Sequence, residues 1–73
     1  MKIKAQGHTF DFAISSLRRV CWVFRLEQFN GVPCKDYGSD PFSTERECRA
    51  GAKHLAETGM LDPVYGWVAR PNL

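Results

Sequence analysis

Polar and apolar residues alternate with a period of two along Thr9-Phe10-Asp11-Phe12-Ala13-Ile14. Phe10, Phe12 and Ile14 share one side and Thr9, Asp11 and Ala13 the other, the pattern of a half-buried strand. A shorter run, Ile3-Lys4-Ala5, precedes it across Gln6-Gly7, and glycine's freedom at positive φ suits a tight hairpin there. Val20 to Phe29 is the strongest strand, rich in β-branched and aromatic side chains, and Asn30-Gly31 follows at once. That dipeptide suits a type I′ turn, in which both central residues have positive φ. The returning strand is expected over 32–37, with Pro33 marking an edge because it has no N–H to donate.

A two-residue turn fixes the register. Phe29 faces Val32, Glu27 faces Cys34, and Arg25 faces Asp36. The opposite charges of the last pair favour this alignment. Strict alternation gives Trp22, Phe24, Leu26 and Tyr37 as the core face. Cys21, Val23, Arg25, Glu27 and the Phe29–Val32 pair fall on the other. Ser15 to Arg19 breaks the alternation and reads as a connection.

The period then changes. Cys48, Gly51, Ala52, Leu55 and Ala56 recur at helical spacing, with small residues where a helix lies close on a sheet. Thr44 with Glu47 fits a capping box, and Glu45 and Glu47 suit the positive end of the helix dipole. Gly59 suits the C′ position, with Met60 as the apolar contact beyond it. Strands over about 3–5, 9–14, 20–29 and 32–37 and a helix over about 45–58 follow. After Asp62-Pro63, residues 64–69 read as a short strand or an aromatic lid. The fold class is α+β: one domain over residues 1–73, a three- to four-stranded antiparallel sheet with one α-helix on one face. One helix is about 10 Å wide, so part of the sheet stays uncovered.

Composition narrows the function classes more than it selects one. A chain of 73 residues with 44% hydrophobic and 25% charged residues is globular, and no apolar run approaches a membrane span. The start, Met1-Lys2-Ile3-Lys4, lacks the apolar segment of a signal peptide. Three widely spaced cysteines, Cys21, Cys34 and Cys48, read as reduced thiols of a cytoplasmic protein. His8, His54 and these cysteines lack the close pairs of a structural zinc site, so no metal and no cofactor are expected. Cys48 and His54 lie six apart on the helix and face different ways, and no nucleophile or phosphate-binding motif is present. No catalytic residue is assigned, and the chain is expected not to be an enzyme.

Binding is what remains. Tyr65, Trp67 and Arg70 near the C-terminus are of the residue types enriched in interface hot spots, and Phe29 with Val32 at the hairpin tip forms a second apolar patch. They are the candidate protein-binding surface, together with an exposed sheet edge, which is also where a homodimer would form. The alternative is a nucleic-acid surface of Arg18, Arg19, Arg25, Arg46, Arg49 and Lys53, although a net charge of +2 is mild for that role. The sheet-then-helix order resembles, in fold alone, small DNA-binding domains whose three-stranded sheet enters the major groove. A compact chain without motifs also resembles accessory proteins of bacteria and phages that act as inhibitors or adaptors. The expectation is a protein-binding domain of that kind, with a DNA- or RNA-binding domain as the alternative.

Overall fold

A computed structural model describes residues 1–35 and 38–71. Four antiparallel strands, β1 (Lys2–Ala5), β2 (His8–Leu17), β3 (Cys21–Phe29) and β4 (Val32–Pro33), form one sheet in chain order. Helix α1 (Glu45–Thr58) packs on one face. A separate hairpin of β5 (Met60–Asp62) and β6 (Gly66–Val68) follows.

The turn chemistry acts as expected at two hairpins. Gln6 and Gly7 take φ of 52° and 77°, and Asn30 and Gly31 take 53° and 81°. Phe29 pairs with Val32 and Gln28 with Pro33, the expected register. Of the returning strand expected over 32–37, the described residues show Val32–Pro33 as strand, with 36 and 37 outside them. After the Cys34 N–H bond to the Glu27 carbonyl (2.9 Å), a later segment takes over the β3 edge. Ser39 N–H donates to the Phe24 carbonyl, Ser39 Oγ accepts from Phe24 N–H, and Phe42 exchanges two backbone bonds with Trp22. The expected Arg25–Asp36 and Phe24–Tyr37 pairs lie outside the described residues. Arg25 has Glu27 of its own strand at 3.6 Å.

Strand β2 also runs further than its alternation suggests, because Ser15, Ser16 and Leu17 pair with Val23, Trp22 and Cys21. These three β2 residues are exposed, so no buried side imposes an apolar period on them.

Phe29 departs from strict alternation. Phe12 faces Leu26 while the adjacent Asp11 faces Gln28, so Glu27 is an extra residue, a β-bulge in β3. One unpaired residue reverses the facing of everything beyond it. Phe29 therefore turns from the open face to the core side and meets Phe10 with ring centroids 5.4 Å apart.

The core comprises Phe10, Phe12, Phe24 and Leu26 from the sheet with Cys48, Ala52 and Ala56 from the helix. Small helix residues let the axis approach, and rings fill the space between layers. Phe12 meets Phe24 edge-on at 5.5 Å and Phe10 meets Trp67 at 4.9 Å, geometries worth about 0.5–1.5 kcal/mol each beyond area burial. Trp22 joins this face half-buried.

Thr44 caps α1 by accepting the Glu47 N–H at 3.1 Å, while the Glu47 carboxylate takes the Thr44 hydroxyl rather than completing a capping box through the Thr44 backbone. The other end closes without a left-handed residue, since Gly59 has φ −74° and ψ −176°. Its glycine answers to crowding: a Cβ there would fall 2.6 Å from the Leu55 carbonyl oxygen and 2.8 Å from that of Val68, and against the Trp67 indole nitrogen.

Candidate nucleic-acid interface

Three of the five residues proposed for protein binding are engaged within the fold. Trp67 packs on His8, Phe10 and Phe29 and donates its indole N–H to the Leu55 carbonyl at 2.9 Å. Arg70 reaches the Thr58 and Gly59 carbonyls, both at 3.4 Å. Gln6 donates to the Ala56 and Gly59 carbonyls at 3.0 Å. A helix ends with carbonyls that lack intrahelical partners and a partial negative charge. The last turn of α1 holds no basic residue, so Arg70 brings the positive charge from beyond it. Phe29 is the third, packed against the core. Val32 and Tyr65 stay exposed, on separate hairpins.

The six basic candidates divide between the two layers. On the helix, Arg49 pairs with Glu45 at 3.1 Å and Lys53 with Glu57 at 3.9 Å, each four residues apart, while Arg46 is exposed. On the sheet side, Arg25 projects from the face opposite α1, and Arg18 and Arg19 occupy the turn from β2 to β3. Lys2 and Lys4 join them. They alternate with Ile3 and Ala5, which pack on the core, so both lysines point to the open face. The Lys-Ile-Lys-Ala alternation carried that signal, although the lysines were not among the six.

This division produces a charge asymmetry hidden by the net value. Residues 1–35 hold six basic side chains (Lys2, Lys4, Arg18, Arg19, Arg25, Lys35) and two acidic ones (Asp11, Glu27), a balance of +4. Residues 36–73 hold four basic and six acidic, a balance of −2, and together they make the +2 of the whole. Among the described residues, Lys2, Lys4, Arg18 and Arg19 have no ion-pair partner. The open face also presents Thr9, Ala13, Ser15 and Val23, a low surface between the charges.

A groove of about 910 Å³ runs between α1, the 38–42 segment and the residues after β6, with Phe42, His54, Trp67 and Arg70 on its walls. Ser39 on its rim accepts the Phe24 N–H and donates to the Asp40 carbonyl. Cys21, Cys34 and Cys48 are not joined by disulfides, and the Cys34 thiol donates to the Leu26 carbonyl at 3.4 Å. Cys34 is exposed, Cys21 half-buried and Cys48 buried, and burial pushes the Cys48 thiol pKa up. No group of three or more His, Cys, Asp and Glu side chains gathers among the described residues. No helix of those residues is long and apolar enough to cross a membrane. Comparison with family models, curated proteins and solved structures found no match to this chain.

Proposed function

We propose that this protein is a non-enzymatic nucleic-acid-binding domain that works through the open face of its sheet and the β2–β3 turn. The observation that carries the reading is the segregation of charge: residues 1–35 balance at +4, and five of their six cations lie on the sheet face no helix covers or in the β2–β3 turn, beside Asp11 and Glu27. Lys2, Lys4, Arg18 and Arg19 supply four cations to phosphates and Arg25, shared with Glu27 at 3.6 Å, a fifth, while on the helix Arg49 and Lys53 are paired with Glu45 and Glu57.

Binding of this kind releases counterions, and log K falls with log salt at a slope of about −0.9 per phosphate contact. Five contacts give a slope of about −4.5, or roughly a 500-fold loss between 50 and 200 mM salt. Fluorescence anisotropy with a labelled 20-base-pair duplex measures it. Replacing Lys2, Lys4 and Arg25 by alanine lowers the slope by about 2.7. Replacing Arg49 and Lys53 leaves it unchanged. A flat salt response, or an equal loss from the helix pair, rejects the reading.

A second reading, an inhibitor or adaptor of bacterial or phage origin that occupies a protein partner, is supported by Val32 and Tyr65, 64% and 77% exposed. Capture of a partner that survives nuclease treatment, and is lost on changing Val32 and Tyr65 to serine, favours it over the first.

A further inference from the structure

We infer, resting on the nucleic-acid reading above, that the ligand is B-form double-stranded DNA and that the Arg18-Arg19 turn enters its major groove. The first ground is the position of the aromatic rings. Proteins that hold single strands stack bases on exposed aromatic side chains. Here Phe10, Phe12, Phe24, Phe29, Trp22, Phe42 and Trp67 belong to the core or pack against it. Tyr65 lies in the β5–β6 turn, so among the described residues no Phe, Trp or Tyr remains on the open face.

The second ground is shape. The 38–42 segment borders β3 as far as Trp22, and beyond it, among the described residues, the Leu17–Cys21 pair and the Arg18-Arg19 turn project as a two-stranded tip. Paired strands lie about 4.8 Å apart, and a major groove about 12 Å wide admits such a ribbon. The A-form major groove of RNA is too narrow and deep for side chains to read.

The third ground is the turn itself. The Val20 N–H closes it onto the Leu17 carbonyl at 3.0 Å, with Arg18 and Arg19 at φ 52° and 59°. The other two tight turns place glycine second, as Gln6-Gly7 and Asn30-Gly31. Among the described residues, only here do two residues with long side chains occupy successive left-handed positions, which disfavour any residue carrying a Cβ. Strain of this kind persists where the side chains serve a purpose the backbone would not select. Both guanidinium groups are exposed at the tip without a partner among the described residues, and arginine is the side chain that reads guanine edges by a paired hydrogen bond.

The test compares three ligands of one sequence and length, a DNA duplex, its single strand and the RNA duplex, against wild type and an Arg18→Asn/Arg19→Gly variant. The variant puts an unstrained Asn-Gly pair in the turn, so it is expected to melt higher than wild type and to stay folded. Wild type is expected to bind the DNA duplex at least 10-fold more tightly than either other ligand, and the variant to lose at least 30-fold on that duplex. Single strands or RNA duplex bound as tightly as the DNA duplex overturn the inference while leaving the charge-based reading standing. A variant that melts higher and keeps its DNA affinity overturns the role of the turn. No salt-sensitive binding to any of the three removes the nucleic-acid reading and this inference together.

Discussion

Gly59 separates two reasons for glycine at a helix end. If the position required left-handed backbone, asparagine would be the next-best residue and alanine a poor one. The observed φ of −74° is open to any residue, so the constraint is space alone. An added Cβ meets the Leu55 and Val68 carbonyl oxygens at 2.6 and 2.8 Å as well as the Trp67 indole nitrogen. Two of the three obstacles are backbone atoms of packed elements and cannot rotate aside. Overpacking of this kind costs about 1–3 kcal/mol. Displacing Trp67 from the Leu55 carbonyl adds about 0.5–1.5 kcal/mol. Against that, alanine lowers the entropy of the unfolded chain, a gain of about 0.4–1 kcal/mol. The balance for Gly59→Ala is a loss of about 0.5–4 kcal/mol, centred near 2, which at that centre is about 8–16 °C in Tm for a domain of this size. Gly59→Asn, with a larger side chain in the same space, should be worse. Urea and thermal denaturation followed by circular dichroism measure both. A Gly59→Ala loss under about 0.5 kcal/mol, far below the overpacking range, would refute the steric reasoning. So would an asparagine variant more stable than the alanine one.

Trp67→Ala is expected to cost about 2–4 kcal/mol in urea denaturation because it empties half-buried aromatic contacts. Trp67→Phe should cost only about 0.5–1.5 kcal/mol, since it keeps a ring and loses the indole hydrogen bond. Equal losses for the two would place the effect in the hydrogen bond instead. The N–H groups of Tyr65 and Val64, each 2.8 Å from Asp62 Oδ1, hold that carboxyl below its ordinary pKa. A depressed folded-state pKa gives stability that is present above the unfolded value of about 3.9 and is lost as pH falls through the folded one. The stability gap between wild type and Asp62→Asn should therefore be constant above about pH 5 and shrink in stronger acid, and a gap unchanged at pH 2–3 would contradict this. Alkylation followed by mass spectrometry should modify Cys34 first, then Cys21, with Cys48 protected until the protein unfolds.

Much of the fold was legible where local chemistry and burial agree. Asn30-Gly31 fixed the hairpin register, and the small-residue stripe over Cys48–Ala56 with Thr44 as cap marked the helix. Features that depend on distant partners were not legible. The Glu27 bulge leaves no mark in residue types, yet it moves Phe29 to the other face. Ser39 and Phe42 bond the β3 edge at Phe24 and Trp22, and apart from the Ser39 hydroxyl these are backbone bonds that any side chains could accompany. The same limit applies to the binding residues. Tyr, Trp and Arg near a terminus look like an interface, but the carbonyls at the C-terminal end of α1 lie just where Trp67 and Arg70 arrive. The three helix cations were visible as a row, and only their i,i+4 acids showed that two of them are paired.

The most direct measurement is a two-dimensional amide NMR spectrum of the protein titrated with a 20-base-pair DNA duplex at low salt. Shifts are expected to concentrate on Lys2, Lys4 and residues 13–25, led by Arg18 and Arg19, with Arg46, Arg49 and Lys53 unmoved. Shifts centred on the helix, on Val32 and Tyr65, or absent altogether would contradict an interface on the open face of the sheet.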